Sequence, residues 1–176
     1  MTLSDKLDLA IRNIPDFPKP GIQFKDITPI LRDAKLCREI TLALTAPFKG
    51  KNIDVVAGIE SRGFLFGMLM AQELGCAFAV IRKKGKLPHR TVEIEYALEY
   101  GSAIIEMHED EIESGQHVII HDDLLATGGT AAAAAELIKK VGGRVEAFSF
   151  LIELDFLEGS NKLSPFGAPI ASLKHY

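Results

Sequence analysis

Hydrophobic positions along the chain follow two periods, one typical of buried strands and one typical of amphipathic helices. Short apolar runs predict strands buried on both faces, as in a parallel sheet, at residues 53–59, 77–81 and 118–120. Apolar residues spaced three and four apart predict helices at residues 4–13, 33–48 and 63–74. Strands and helices that alternate in this way indicate an α/β protein.

The remaining segments carry other patterns. Three prolines between Ile14 and Gly21 exclude a helix and predict a stiff, extended path. Alternating apolar and polar residues predict an antiparallel ribbon at 89–98, and a further strand is expected at 103–108. Residues 145–154 predict a last core strand, after which the tail is expected to form short strands or loops at the edge of the sheet.

The stretch from residue 115 to 143 joins a strand to a helix through a glycine-rich loop. An apolar strand leads into Asp122 and Asp123, the loop Ala126–Thr130 follows, and five alanines begin a strong helix-forming segment. Backbone N–H groups of such a loop turn toward one point, and the helix N-terminus adds partial positive charge. Together with the two threonine hydroxyls of the loop, this arrangement predicts a phosphate site.

The acidic pair Asp122 and Asp123 falls at the predicted carboxyl end of a strand, where ligands bind in open α/β sheets. Carboxylates are poor phosphate partners, but they accept hydrogen bonds from ribose hydroxyls and serve as outer ligands of Mg2+. The sequence contains neither a Gly-Lys-Thr/Ser nucleotide loop nor a Gly-x-Gly-x-x-Gly fingerprint. The alternative interpretation is a plain strand–loop–helix turn with a solvated acidic pair.

Two further polar segments follow predicted strands. Ser61 and Arg62 precede the helix predicted from Gly63, and they form either a second anion site or a helix cap with a surface arginine. The basic run Arg82–Lys86 follows the next strand. Such a run is either a solvated face or a partner for a strongly anionic group such as diphosphate.

Composition narrows the class of protein. A chain of 176 residues with 47% hydrophobic and 25% charged residues is typical of one globular domain. The net charge of −4 gives no general support for a nucleic-acid partner. Cys37 and Cys76 lack the spacing of a metal or redox site. Because no signal peptide or membrane-spanning pattern is visible, we expect no membrane partner and a cytoplasmic location.

The string Asp122–Thr130, which reads DDLLATGGT, resembles the phosphoribosyl diphosphate signature of type I phosphoribosyltransferases, in the form found in adenine phosphoribosyltransferases. The other polar segments occur in the order of that family, so the resemblance covers nearly the whole chain. It implies an α/β fold of the type I phosphoribosyltransferase kind, with a central mostly parallel sheet flanked by helices. It also implies one domain over residues 1–176, with a small hood at 1–32 and a flexible catalytic lid at 83–101.

The resemblance implies roles for individual residues. Glu99 matches the catalytic carboxylate of the family, and Arg62 matches an arginine that faces the purine or the diphosphate. The backbone at Gln23 and Lys25 would recognise the purine edge, and Phe24 would stack on the ring. The other residues implied to bind substrate are Ser61, Arg82, Lys83, Lys86, Tyr100, Asp122, Asp123, Ala126, Thr127, Gly128, Gly129 and Thr130. The family also implies a non-proline cis peptide at Glu60–Ser61.

The implied reaction is the Mg2+-dependent transfer of phosphoribosyl from phosphoribosyl diphosphate to adenine, which gives AMP and diphosphate. The resemblance implies a homodimer. Mg2+ would be bound mainly through diphosphate and water, with Asp122 and Asp123 as additional candidates.

Three alternatives remain open: a non-catalytic sensor of phosphoribosyl diphosphate or purines, an enzyme for hypoxanthine, guanine or xanthine, and a Mg-phosphate hydrolase. The retained Glu99 argues against the sensor. The hood argues against an oxopurine, whose edge has the opposite hydrogen-bond pattern and would leave buried groups unpaired, at about 1–3 kcal/mol each.

Overall fold

The computed structural model describes residues 1–98 and 101–176. Its strands are β1 (Arg12–Pro15), β2 (Gln23–Asp26), β3 (Val55–Ile59), β4 (Ala77–Lys83), β5 (Thr91–Ala97), β6 (Ser102–His108), β7 (His117–Leu125), β8 (Arg144–Glu153) and β9 (Ile170–His175). Its α-helices are α1 (Leu3–Ala10), α2 (Ala34–Thr45), α3 (Glu60–Leu74), α4 (Gly129–Lys140) and α5 (Ser160–Leu163). Short 3-10 helices occur at Thr28–Arg32, Ala46–Phe48, Asp155–Leu157 and Ser164–Phe166.

Seven strands form the main sheet, in the spatial order β5-β6-β4-β3-β7-β8-β9, while β1 and β2 form a separate hairpin. In the block β4-β3-β7-β8-β9, each strand runs parallel to its neighbours. β5 and β6 pair antiparallel with each other, and β6 pairs antiparallel with β4. The central, mostly parallel sheet and the antiparallel ribbon predicted from the sequence are confirmed.

Hydrophobic clusters cover both faces of the sheet. Val118 and Ile120 belong to the cluster that includes α4, whereas Ile119 between them belongs to the cluster that includes α2 and α3. All three side chains are fully buried, because successive side chains of a strand point to opposite faces. A central strand of this kind therefore needs an unbroken apolar run. Among the described helices, none has both the length and the apolar character needed to cross a membrane.

The N-terminal segment is attached to the last strand of the sheet. Lys174 on β9 lies 2.7 Å from the carboxylate of Asp8 on α1. The ammonium group of Lys25 on β2 lies 3.7 Å from the centre of the Tyr176 ring. These contacts hold the β1–β2 hairpin beside the carboxyl ends of β8 and β9.

The start of α3 differs from the prediction. The helix begins at Glu60, directly after β3, instead of at Gly63. Glu60 has a φ of +50°, which turns the chain from strand to helix within one residue. Ser61 and Arg62 therefore lie in the first helical turn instead of a loop. The cis peptide predicted at Glu60–Ser61 is wrong, since the cis bond found among the described residues is Phe17–Pro18.

The end of β7 also differs from the prediction. The strand continues to Leu125, because it pairs with the long strand β8 through Asp122 and on to Leu125 itself. Asp122 and Asp123 therefore lie inside the strand instead of after it. Backbone pairing with β8 prevails here over the preference of aspartate for turns.

Candidate active site

The loop between β7 and α4 surrounds a cavity of about 80 Å3. Its lining consists of Asp122 and residues 124–131, and so includes the whole predicted phosphate loop: Ala126, Thr127, Gly128, Gly129 and Thr130. α4 begins at Gly129, so the first N–H groups of the helix, which have no partner within it, border this cavity. The structure thus brings the predicted loop residues together around a space for a small anion.

Gly128 is required at its position for two reasons. Its φ is +78°, in the left-handed region that favours glycine. A Cβ atom on Gly128 would also lie 2.3 Å from the carbonyl oxygen of Gly159, and one on Gly159 would lie 2.2 Å from the carbonyl oxygen of Ala126. The two backbones therefore cross at a distance that only glycine permits, and the tail fixes the shape of the phosphate loop.

The carboxyl groups of Asp122 and Asp123 lie next to each other in β7. The Asp123 N–H donates a 2.8 Å hydrogen bond to Oδ1 of Asp122. Burial and the neighbouring charge of Asp123 raise the pKa of Asp122 well above its ordinary 3.8. Burial also raises the pKa of Asp123, while the guanidinium of Arg62 opposes that rise. The pair therefore resists two full negative charges, and positive charge that develops nearby would be stabilised.

Arg62 connects the acidic pair to the hairpin. Its Nε lies 3.2 Å from Oδ2 of Asp123, whose side chain is 3% exposed. The guanidinium carbon lies 5.0 Å from the centre of the Phe24 ring on β2. Gly63 makes this approach possible, because a Cβ there would lie 3.0 Å from the His121 carbonyl oxygen on β7.

A second cavity, of about 460 Å3, opens beside the phosphate loop. Its walls include residues 21–25 of the hood, Arg62, Leu124, and Phe156 and Leu157 from the tail. Its volume is in the range of ordinary small-molecule sites, roughly 300–1,000 Å3. Ala126 and Thr127 line both this cavity and the phosphate cavity, so the two spaces share one wall.

The hood residues present different groups to the second cavity. The Gln23 side chain accepts a 2.7 Å hydrogen bond from Asn13. The Lys25 side chain lies over the ring of Tyr176. The Gln23 side-chain oxygen and the Lys25 ammonium group are therefore engaged elsewhere, while Phe24 contributes its ring to the cavity.

The basic run begins within β4, which continues to Lys83 instead of ending at residue 81 as predicted, so Arg82 and Lys83 are its last two residues. Arg82 lies 3.8 Å from the carboxylate of Glu60, and the Lys83 N–H donates a 2.5 Å hydrogen bond to the same carboxylate. The ammonium group of Lys84 pairs with Glu93 on β5 at 2.9 Å. Lys86 is exposed. The structure therefore places Arg82, Lys83 and Arg62 around the start of α3.

Tyr96 on β5 lies close to the phosphate loop. Its hydroxyl lies 3.1 Å from the hydroxyl of Thr130. A cavity of about 380 Å3 lies between residues 96–98 and the loop, with Lys162 of α5 on its wall. Glu99 and Tyr100, to which the sequence assigned catalytic and binding roles, lie outside the described residues.

Sequence reasoning missed several residues of this region. Glu60 carries a signal that was available, since an acidic residue directly before Ser61 and Arg62 is a natural partner for nearby basic groups. Tyr96, Gly159 and Phe156 gave no local signal, because the tertiary structure alone brings them to the loop.

Comparison with known proteins matches this geometry to one family. A family model described as the phosphoribosyl transferase domain matches residues 24–152. The adenine phosphoribosyltransferase of Cytophaga hutchinsonii is 53% identical over 174 residues, which cover 99% of this chain and 96% of that protein.

Solved structures agree with this match. The crystal structure of adenine phosphoribosyltransferase from Rhodothermus marinus has a TM-score of 0.94 and 49% identity, and the match covers 99% of this chain and 98% of that one. The enzyme from Saccharomyces cerevisiae, solved with an imino-altritol bisphosphate and adenine, has a TM-score of 0.88 and 42% identity over 96% of each chain.

Proposed function

This chain belongs to the adenine phosphoribosyltransferase family of transferases, and we propose how its own residues perform the family's reaction. That reaction transfers phosphoribosyl from 5-phospho-α-D-ribose 1-diphosphate to adenine in purine salvage, giving AMP and diphosphate. The observation that carries the proposal is the shared wall at Ala126 and Thr127. A base in the larger cavity and a phosphate in the smaller one would be joined across this wall by a ribose.

Adenine binds in the larger cavity, under the hood at residues 1–32. The Phe24 ring stacks on the purine, and Arg62 closes the same side through its contact with Phe24. The backbone at Gln23 and Lys25 pairs with the amino group and the ring nitrogen of adenine. Neither lysine nor glutamine side chain is needed for this pairing, since both have other partners.

The ribosyl substrate binds along the carboxyl end of β7. The loop Ala126–Thr130 holds the 5′-phosphate at the N-terminus of α4. Asp122 and Asp123 accept hydrogen bonds from the ribose hydroxyls. Cleavage of the anomeric C–O bond builds positive charge on the ribose ring, and the acidic pair stabilises that charge.

The diphosphate leaves toward Arg62, Ser61 and the basic run. Positive charge there comes from Arg82, Lys83 and Lys86. Ser61 in the first turn of α3 adds a hydroxyl group, and the N-terminus of that helix adds partial positive charge. The lid at residues 83–101 covers this side, within the single domain formed by residues 1–176. These positive groups stabilise the negative charge that builds on the leaving diphosphate and so lower the barrier to cleavage.

Glu99 and Tyr100 complete the proposal through the family motif alone. Glu99 serves as the general acid or base for the imidazole proton of adenine, and Tyr100 packs near the ribose. The described neighbour Leu98 lines the cavity between the lid and the phosphate loop, which supports this assignment.

Mg2+ is the proposed cofactor, and the donor set fits a metal held mainly by diphosphate and water. Of the two carboxylates, Asp122 lines the phosphate cavity, whereas Asp123 is buried against Arg62. Mg2+ takes oxygen ligands and usually keeps several waters, so one accessible carboxylate is sufficient. When bound, it adds positive charge to the leaving diphosphate.

A homodimer is the proposed assembly. Leu65, Met68 and Leu69 lie three and four residues apart on α3 and are between 37% and 52% exposed, and Leu31 is 40% exposed. Leu31 and Leu69 line a groove of about 570 Å3 between α2 and α3. A contiguous apolar face of this kind is typical of a subunit interface.

Light scattering tests the proposed homodimer and should give twice the mass of one chain. Met68→Glu should shift the protein toward a monomer. A monomeric wild-type protein would refute the assembly.

The proposed location is the cytoplasm, because Cys37 and Cys76 are both free thiols, as expected in a reducing compartment. Cell fractionation with an antibody against the chain tests this location. Recovery of the chain in an exported or membrane fraction would contradict it.

The deciding experiment measures AMP formation from adenine, phosphoribosyl diphosphate and Mg2+, beside parallel reactions with hypoxanthine, guanine and xanthine. Turnover with adenine alone supports both the hood and the phosphate loop. Turnover with an oxopurine would keep the loop and reject the hood assignment. Tight binding of the ribosyl substrate without any turnover would favour a sensor.

A further inference from the structure

Glu106 is a buried acidic residue at the base of the lid. It lies on β6 between Arg82 of β4 and Glu93 of β5, which are its register partners. Only 4% of its surface is exposed. No lysine, arginine or histidine of the described residues lies within ion-pair distance of its carboxylate. An isolated buried charge is costly, so other groups must stabilise it.

Backbone amides provide that stabilisation. Oε1 of Glu106 accepts hydrogen bonds from the N–H groups of Lys86 at 2.9 Å and Leu87 at 3.0 Å. Oε2 accepts from the Thr91 hydroxyl at 3.4 Å. Burial alone would raise the pKa of Glu106, but the N–H groups of Leu87, Gly85 and Lys86 outweigh it and hold that pKa below 4.5. The carboxylate is therefore ionised at neutral pH and ties the middle of the loop 84–90 to Thr91, the first residue of β5.

A second carboxylate holds the beginning of the same segment. Glu60 accepts the Lys83 N–H and lies beside Arg82. The backbone is thus fixed at Lys83 by one acid and at Lys86 and Leu87 by another. The Lys83 and Lys86 side chains project from a turn whose shape does not depend on a ligand. We name residues 83–87 the basic turn.

We propose that Glu106 is a positioning residue that preforms the basic turn to receive the diphosphate group. The inference rests on the proposed function, because that function makes the basic turn a diphosphate site. A preformed turn binds more tightly than a free one, because less conformational freedom is lost when the anion arrives. Glu106 itself does not touch the substrate, since its carboxylate oxygens are occupied by the loop.

Two substitutions at Glu106 separate the effect of its hydrogen bonds, which depend on side-chain length, from the effect of its charge. Glu106→Asp keeps the charge but is one methylene shorter, so it loses contact with the amides. Glu106→Gln loses the charge but keeps an oxygen that accepts both N–H groups and an amide that donates to Thr91. Isothermal titration with diphosphate and Mg2+ should show affinity weakened roughly tenfold or more in Glu106→Asp. Glu106→Gln should recover most of that affinity.

Steady-state kinetics provides a readout that general destabilisation would not give. The KM for phosphoribosyl diphosphate should rise in Glu106→Asp, while the KM for adenine stays within about twofold, because Glu106 lies far from the hood in the fold. Equal losses in the Asp and Gln variants would overturn the proposal, since general destabilisation and not the loss of these hydrogen bonds would then be responsible. A loss in Glu106→Gln alone would also overturn it, since the charge would then be responsible. An unchanged diphosphate affinity in Glu106→Asp would also overturn it.

Amide hydrogen exchange keeps the proposal testable if the variants fold poorly. In the wild-type protein without ligands, the amides of Lys86 and Leu87 should be protected, whereas those of exposed loops exchange rapidly. Rapid exchange at both amides would refute a preformed turn. Because titration and exchange do not depend on turnover, a wild-type protein that forms no AMP would refute the proposed function without deciding this inference.

Discussion

Replacing the buried His121 with leucine should flatten the acid side of the pH–stability profile. The ring is fully buried on β7, and neither of its nitrogens has a partner at ordinary hydrogen-bond geometry. Burial lowers the pKa of His121 to about 4 from an ordinary 6.5, against a smaller raising effect of the Ser149 backbone. The folded ring is therefore neutral at physiological pH.

The sign of the effect follows from proton binding. Below pH 6.5 the unfolded histidine takes up a proton, whereas the folded one stays neutral until about pH 4. The folded state therefore loses stability as pH falls through this window and keeps it above the window. At about 1.36 kcal/mol per pH unit, the loss reaches about 3 kcal/mol. Asp122 and Asp123 act in the opposite direction, since their pKa values are raised by folding.

Urea unfolding followed by circular dichroism, repeated at several values between about pH 4 and pH 7, measures this effect. Both proteins contain Asp122 and Asp123, so the contribution of the acidic pair cancels in the difference in unfolding free energy between wild type and His121→Leu. That difference should change by about 3 kcal/mol across the window, and the variant should be more stable at acid pH. His89→Asn, which removes an exposed histidine, is the matched control. A difference that does not vary with pH would refute the reasoning.

Three further predictions concern the loop and the lid. Gly128→Ala should raise the KM for phosphoribosyl diphosphate by at least about tenfold, whereas Gly167→Ala, at a similar φ but in open space, should not change it. Equal KM values in the two variants would contradict the crossing of the backbones. Glu99→Leu should lower turnover by roughly 100-fold with the affinity for the ribosyl substrate largely kept, and an unchanged kcat would remove Glu99 from the chemistry. Ala126→Asp should block that substrate by placing a carboxylate at the phosphate site, and normal KM values would show that the loop is misplaced.

The sequence was sufficient to predict the elements whose cause is local. The apolar run at 118–120 must lie in a strand covered on both faces, and the chain must turn at the glycines where α4 begins. The phosphate loop combines these two local causes, so its residues were predicted together and the structure brings them together around one cavity.

Features that depend on partners far along the chain could not be predicted. The length of β7 is set by β8, which continues the pairing past two aspartates. Gly159 is one of several glycines in the sequence, and only the crossing with Gly128 distinguishes it. Glu106 looks like any polar residue of a strand until the loop 84–90 folds over it.

The wall formed by Ala126 and Thr127 makes the two cavities thermodynamically dependent on each other. A molecule that fills both loses its translational and rotational freedom once, whereas two separate molecules lose it twice. The nucleotide should therefore bind more tightly than the separate affinities of a base and a sugar phosphate indicate. Any shift of this wall by one occupant changes the affinity for the other by the same factor in both directions, since the coupling between two sites is reciprocal.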